Sequence, residues 1–132
     1  MRLPRKRILS LTTILLFLIC LIFTAYLKSV ADYKKKVKEI TFHNLDISNI
    51  PDGIYTGEYD VGFVYAKVEV TVHRGAITNI AILEHKNERG SSAEVVVDRI
   101  IKEQKINVDA VSGATNSSSV IKKAVENALT RI

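Results

Sequence analysis

The sequence predicts an α+β domain, in which an antiparallel sheet is packed by two helices, preceded by one N-terminal transmembrane helix. Three observations predict this fold. An uncharged apolar run occupies residues 8–27, a two-residue alternation of apolar and polar residues occupies 64–72, and two stretches of helical periodicity follow residue 90. Strands followed by helices are typical of an α+β fold, because the helices can cover one face of the sheet.

The apolar run from Ile8 to Leu27 contains no charged residue. A helix of about 20 residues spans about 30 Å, which is the thickness of the hydrocarbon core of a bilayer. The alternative is a signal peptide cleaved at the small residues 29–31, but this run is longer than the roughly 7–15 apolar residues usual for one. We therefore predict an uncleaved anchor, with residues 1–28 as the cytoplasmic tip and the membrane span.

The charge distribution predicts the orientation of this anchor. Residues 1–30 hold five of the 19 Lys and Arg residues and no acidic residue, and the rest of the chain has equal numbers of basic and acidic residues. The basic pI therefore belongs to the membrane flank and does not indicate nucleic-acid binding. Four of the five basic residues precede the apolar run. The positive-inside rule therefore predicts a protein anchored in the cell membrane, with its C-terminal domain on the extracytoplasmic side. These four are Arg2, Arg5, Lys6 and Arg7.

The soluble part of the chain begins with residues 29–50, which are predicted to form a solvated, lysine-rich stalk and a linker. A turn at Pro51-Asp52-Gly53 then opens a domain over residues 51–132. Within it, residues 54–59 are predicted to form a first strand. Residues 64–72 form a second with one buried face, and residues 76–83 return after the tight turn at His73-Arg74-Gly75 as a third.

Two helices follow the strands. The first is predicted to be capped by Ser91 or Ser92, and the second by Ser117 or Ser118. Each has apolar residues at the spacing of one helix face. The first stripe consists of Ala93, Val96, Val97, Ile100 and Ile101, and the second of Val120, Ile121, Ala124, Val125, Ala128 and Leu129.

Between the two helices, residues 107–119 form a loop of small and hydroxyl-bearing side chains that opens into the last helix. The first N–H groups of a helix have no internal partner and carry partial positive charge, so a phosphate can bind there. Gly113 allows a close approach of the backbone, and Thr115 places a hydroxyl at this anion site. The alternative is that these Ser, Thr and Asn residues only cap the helix.

The stretch Asp109-x-x-Ser112-Gly113-Ala114-Thr115 resembles the flavinylation motif of the FMN-binding domain family. This family includes flavin-carrying subunits of sodium-pumping NADH:quinone reductases and related electron-transfer complexes. The resemblance covers roughly residues 51–132. It includes the Asp-Gly-x-Tyr-x-Gly start, the strand pair around Gly75 and the Ala-Val-x-x-Ala-Leu ending of the last helix.

The resemblance implies that a flavin transferase moves FMN from FAD onto Thr115, leaving a phosphodiester. It also implies that Asp109 orients the acceptor or is recognised by the transferase, although Asp109 is equally a plausible turn residue. Ser112 either hydrogen-bonds the phosphate or stabilises the loop. The cofactor-binding residues predicted here are Thr115, Ser112, Gly113, Ala114, Asp109, Asn116 and His85.

His85 lies in a polar segment after the third strand that resembles the flavin-facing loop of the family. With Asn87 and Arg89 it is predicted either to contact the flavin or to be part of a solvated loop. Tyr55, Tyr59 and Tyr65 stack on the flavin or simply pack in the sheet. The three histidines and the single cysteine do not have the spacing of metal ligands, so no metal site is predicted.

These features together predict a membrane-anchored electron carrier with FMN, and not a self-sufficient oxidoreductase or a protein with catalytic residues of its own. Its expected partners are the lipid bilayer, a flavin transferase, a membrane electron donor and an extracytoplasmic acceptor. Two alternatives remain. One is an exported binding or assembly module that uses the same loop for a phosphate-bearing ligand. The other is a reductase with non-covalent FMN.

Overall fold

The computed structural model describes residues 4–87 and 91–131 and confirms the α+β class. The chain divides into two compact units, Met1–Lys34 and Lys35–Ile132, with the boundary inside the first helix. The second unit contains a three-stranded antiparallel sheet and two further α-helices.

The first helix, α1, spans Arg5–Lys38 and is long and apolar enough to cross a membrane once, as predicted. None of its residues is buried, which suits a helix surrounded by lipid. The three threonines inside it do not leave hydroxyls unpaired, because each donates to a backbone carbonyl three residues earlier. These threonines are Thr12, Thr13 and Thr24, with distances of 2.8, 2.9 and 2.9 Å.

The sheet has the order β1-β2-β3, with β1 over Gly53–Asp60, β2 over Tyr65–His73 and β3 over Ala76–Lys86. The predicted alternation in β2 is confirmed. Every second residue is buried, and the buried set is Ala66, Val68, Val70 and Val72. One face of the sheet is therefore the core face.

Positive φ angles at two residues make the turn between β2 and β3 tight. Arg74 and Gly75 have φ of 51° and 72°, as a two-residue hairpin loop that follows the twist of the strands requires. The pairing of β3 with β2 then has two irregularities, at which Thr78 and Leu83 have no opposite residue. Each extra residue shifts the alternation of β3 by one position.

The predicted end of β3 at residue 83 is wrong, because the strand continues to Lys86. His85 therefore lies in the sheet and not in a loop after it, directly opposite the buried Ala66. Without the extra residue Leu83, Glu84 would occupy that place on the core face. Arg89, which was grouped with His85, lies outside the described residues, as does Arg2.

Helices cover the core face. A 3₁₀ turn at Ser91–Val95 leads into α2, Val96–Glu103, and α3 spans Thr115–Thr130. All six apolar residues of the predicted α3 stripe are buried. The predicted serine cap of α2 is wrong, because Val95 precedes the helix in a helical conformation and makes no side-chain cap bond. The 3₁₀ turn begins the helical segment instead.

The contact between α3 and β1 is so close that only glycine fits at position 57. A Cβ atom on Gly57 would overlap the carbonyl oxygen of Ala124 and the backbone nitrogen of Ala128. Asn127 beside them donates to the Glu58 carbonyl at 2.9 Å. The glycine predicted inside the first strand therefore fixes the distance between the sheet and the helix that begins at Thr115.

Candidate functional site

The predicted acceptor Thr115 is the first residue of α3, and its side chain is exposed. Ala114 precedes it at the cap position, and no side chain caps the helix there. The first N–H groups of α3 point out of the helix without intrahelical partners, and the helix dipole adds partial positive charge. The Thr115 hydroxyl is thus presented at an end of the helix that favours anions.

A tight turn carries the chain into this helix. The Ala114 N–H donates to the Val111 carbonyl at 3.0 Å, which closes the turn around Ser112 and Gly113. Gly113 has a φ of 79°, a conformation that costs other residues about 1–2 kcal/mol. A Cβ atom built there would meet nothing within 4 Å. Glycine is therefore needed at this position for its backbone conformation and not because protein atoms crowd it.

Ser118 braces the turn from inside and does not cap α3 as predicted. Its hydroxyl is fully buried, accepts from the Val111 N–H at 3.0 Å and donates to the Ala114 carbonyl at 2.8 Å. Ser117, the other predicted cap, is buried as well. The helix begins earlier than expected, so these serines lie inside its first turns.

Two basic side chains hold the run of residues 107–110 before the turn. Arg99 of α2 donates through Nη1 to the carbonyls of Asp109 and Ala110, at 3.0 and 3.2 Å. Lys122 of α3 donates to the Val108 carbonyl at 2.8 Å and reaches the Asn107 side chain at 3.3 Å. The loop is thereby fixed to both helices.

Arg99 and Lys122 are not among the residues predicted from the sequence. Nothing in the local pattern distinguishes Arg99, which precedes an apolar pair in α2. A signal does exist for Lys122, because Ser118, Lys122 and Glu126 are spaced by four residues and share a row beside the apolar stripe. All three are buried.

Burial lowers the pKa of Lys122, and the nearby charge of Asp109 opposes that shift. The ammonium also lies over the ring of Phe42, 4.6 Å from its centroid. A buried ammonium needs partners for its N–H groups, and here backbone and amide oxygens of the loop supply them. Lys122 therefore stabilises the loop through these hydrogen bonds.

The remaining predicted residues of the loop are exposed. The side chains of Asp109, Ser112 and Asn116 all face solvent. A turn residue would accept a hydrogen bond from the backbone of its own loop. Within residues 4–87 and 91–131, the Asp109 carboxylate accepts none. The structure thus brings Asp109, Ser112, Gly113, Ala114, Thr115 and Asn116 into one loop–helix junction.

His85 does not contact this junction by any hydrogen bond among the described residues. Its side chain is 2% exposed, and its Nδ1 lies 3.1 Å from a carboxylate oxygen of Glu94 in the 3₁₀ turn. That turn packs against α3, the helix that begins at Thr115. His85 therefore lies under the same helical layer, although it is not part of the loop.

Two of the three tyrosines have hydroxyls that are already bound. Tyr55 donates to the Pro51 carbonyl at 2.7 Å and Tyr65 to the Glu58 carboxylate at 2.8 Å. The hydrogen bond to Glu58, burial and the surrounding negative charges raise the pKa of Tyr65 to about 12. In the part of the chain that the structure describes, no group of three or more metal-ligating side chains is found.

Comparison with known proteins identifies one family. The family model of the FMN-binding domain matches residues 63–130, slightly more than half of the chain. The match includes β2, β3, both helices of the second unit and the whole loop before Thr115. It confirms the family resemblance and FMN as the cofactor. No curated protein matches the chain significantly, and no solved structure does so either.

Proposed function

We propose that this chain, which belongs to the FMN-binding domain family, carries its FMN covalently on Thr115 and passes electrons as a membrane-anchored carrier outside the cytoplasm. One observation supports it above all others. The exposed hydroxyl of Thr115 opens a helix without a side-chain cap, directly after the positive-φ turn at Gly113. An FMN phosphate fits that end of the helix by charge and by hydrogen bonding.

The attachment is a phosphoryl-type transfer from FAD, catalysed by a flavin transferase. The Oγ–P bond to Thr115 forms, the phosphoanhydride bond of FAD breaks, AMP leaves and the hydroxyl proton goes to the transferase or solvent. A threonine hydroxyl is a weak nucleophile without a base beside it. Across the described ranges, no side chain hydrogen-bonds to the Thr115 hydroxyl, which supports attachment by an external enzyme.

The neighbours of Thr115 have distinct roles in this proposal. Ser112 and Asn116, which are exposed on either side of the acceptor, hydrogen-bond the phosphate. Gly113 and Ala114 set the turn that presents the hydroxyl. The exposed carboxylate of Asp109, which accepts no hydrogen bond from its own loop among the described residues, is recognised by the transferase.

The protein supplies position and electrostatics, while the bound flavin supplies the one- and two-electron chemistry. A covalent bond suits a carrier outside the cytoplasm, because a dissociated FMN would be lost by dilution. The orientation follows from the basic residues that precede the apolar run 8–27, which favour a cytoplasmic N-terminus. A membrane protein then donates the electrons, and an extracytoplasmic carrier or substrate accepts them.

The test is to co-express the full chain with a flavin transferase, denature it and measure flavin fluorescence on a gel together with the intact mass. We expect fluorescence that survives denaturation and a mass increase of one FMN less one water. Thr115→Ala should abolish both, with a change in stability within about 0.5 kcal/mol, because the side chain is exposed. Thr115→Ser should keep the band, since it keeps the hydroxyl.

Thr56→Ala is a matched control, because Thr56 is an exposed threonine in β1 far along the chain from the motif. It should label like the wild type. A band that persists in Thr115→Ala would remove Thr115 from the proposal. Flavin that is released on denaturation would instead support non-covalent binding, and no flavin at all would support a binding or assembly module.

A further inference from the structure

His85, which pairs with Glu94, is a buried polar side chain that the attachment of FMN to Thr115 does not use. The extra residue at Leu83 in β3 turns His85 toward the core face, opposite Ala66. The imidazole is 2% exposed, whereas the Glu94 side chain is 49% exposed. His85 is thus a polar ring placed under the helical layer, with a carboxylate at its outer edge.

Glu94 determines which ring nitrogen of His85 carries the proton. The Glu94 oxygen lies 3.1 Å from Nδ1, and an ionised carboxylate only accepts hydrogen bonds, so Nδ1 must be the donor. The Asn87 amide nitrogen is also near Nδ1, at 3.3 Å, but the shorter contact to a charged group decides the tautomer. In the neutral ring, Nε2 is then an acceptor.

Nε2 of His85 is buried and has no hydrogen-bond partner among the residues that the structure describes. Leaving a buried polar atom unpaired is costly, and native proteins rarely do so without a functional reason. The atom therefore requires a partner that supplies an N–H or O–H donor. Glu94, which sets this requirement, lies in the 3₁₀ turn that packs on α3.

We propose that His85 and Glu94 form a subsite for the flavin ring, in which His85 Nε2 accepts a hydrogen bond from an N–H of the isoalloxazine. The pyrimidine edge of that ring carries an imide N–H, a donor of the required kind. Glu94 is a positioning residue, since it fixes the tautomer of His85 without contacting the flavin ring. This inference rests on the proposed function, because it needs FMN attached to the domain.

The test uses ¹⁵N NMR of the histidines in the full chain in detergent, with and without the co-expressed transferase. At mildly alkaline pH, where an ordinary imidazole is neutral, we expect the Nδ1–H tautomer of His85 in both forms. Attachment of flavin should shift the Nε2 resonance in the direction of hydrogen-bond acceptance. Glu94→Gln, which keeps an acceptor for Nδ1, should preserve the tautomer, whereas Glu94→Ala should lose it.

Two substitutions at His85 distinguish the role of Nδ1 from the role of Nε2. His85→Asn keeps a donor for Glu94 but lacks an acceptor at the place of Nε2, and His85→Gln supplies an amide oxygen there. In flavinylated protein, His85→Asn should raise the ratio of mobile to docked flavin about tenfold, the effect of one lost hydrogen bond. Induced circular dichroism of the flavin and its fluorescence anisotropy measure this ratio, and His85→Gln should restore most of it.

His73→Asn is the matched control, because His73 also pairs with a carboxylate, Asp52 at 2.8 Å, but at an exposed position. It should leave the flavin signals unchanged. An Nε2 resonance of His85 that is the same with and without flavin, in protein whose mass shows the flavin, would overturn the subsite while leaving Thr115 as the acceptor. Absence of flavin from the wild type would instead overturn the proposed function.

Discussion

The first turn of α3 and its second half differ in what surrounds their polar side chains. At the first turn, Thr115 and Asn116 are exposed, no side chain caps the helix, and the adjoining loop is held through its backbone. In the second half, Glu126 is 2% exposed and fully bonded. The comparison shows that one helix has an exposed, uncapped N-terminal turn and secures the fold through its second half.

Glu126 is held by groups from two parts of the chain. It accepts from Lys123 Nζ at 2.7 Å, and from His43 through Nδ1 at 2.9 Å and the backbone N–H at 3.1 Å. Lys123 also donates to the Thr41 carbonyl at 2.9 Å. Burial alone would raise the pKa of Glu126, but the hydrogen bonds from Lys123 and His43 outweigh it and lower that pKa. The segment before the sheet is thereby fixed to α3.

The largest effect is expected at Gly57, where the backbones of β1 and α3 meet. Gly57→Ala would place a methyl group on the Ala124 carbonyl and the Ala128 nitrogen, neither of which can move without shifting the helix. We expect a loss of about 3 kcal/mol in the free energy of unfolding, as for a severe overpacking. Urea denaturation of detergent-solubilised protein measures it, and an unchanged midpoint would show that the helix is not tightly seated on β1.

The next effect is expected at Glu126. Glu126→Ala removes the acceptor of Lys123 and His43 and should cost about 2–3 kcal/mol, because it leaves a largely buried ammonium without its carboxylate partner. Flavin attachment to Thr115 should persist in molecules that fold. If attachment is lost while the stability is unchanged, the two ends of α3 would not be independent.

The pH dependence of stability should reveal the same carboxylate. Since the folded-state pKa of Glu126 is depressed, its contribution is complete above the unfolded pKa of about 4. The contribution is lost as the pH falls through the folded-state value. The stability difference between wild type and Glu126→Gln should therefore shrink in acid when both are denatured in urea at each pH. A difference that stays constant would exclude a charged Glu126.

The smallest effect is expected at Gly113, in the open end of the helix. Gly113→Ala meets no atoms, so its cost is that of the positive φ alone, about 1–2 kcal/mol. Gly113→Asn should cost less, because Asn tolerates this conformation. Urea denaturation measures the free energy of unfolding of both variants for comparison with Gly57→Ala. If Gly113→Ala cost as much as Gly57→Ala, Gly113 would not be required for its backbone conformation alone.

Several elements could be predicted from local sequence because their causes are local. The alternation of β2 and the apolar stripe of α3 each follow from the period of one element, and the structure buries the residues they predict. The turn at Arg74-Gly75 is likewise set by the residues within it. The motif around Thr115 predicted the family because it is contiguous in the chain.

Other features depended on contacts between distant residues. Glu126 and His43 are 83 residues apart, and no local pattern states that a glutamate in α3 will be buried against the segment before the sheet. Lys122 and Arg99 fix the loop through its carbonyls, which are the same in every sequence. Their role therefore depends on where the two helices pack.

The sequence by itself determined the apolar helix, the sheet with one buried face, the two helices and the Thr115 motif, because periodicity and a contiguous motif are local properties. Only the tertiary structure decided that His85 turns inward, since the extra residue at Leu83 appears when β3 pairs with β2. It also decided that Glu126 is buried and that Ser118 braces a turn and caps nothing. Strand register and helix packing set these outcomes through contacts between residues distant in the chain.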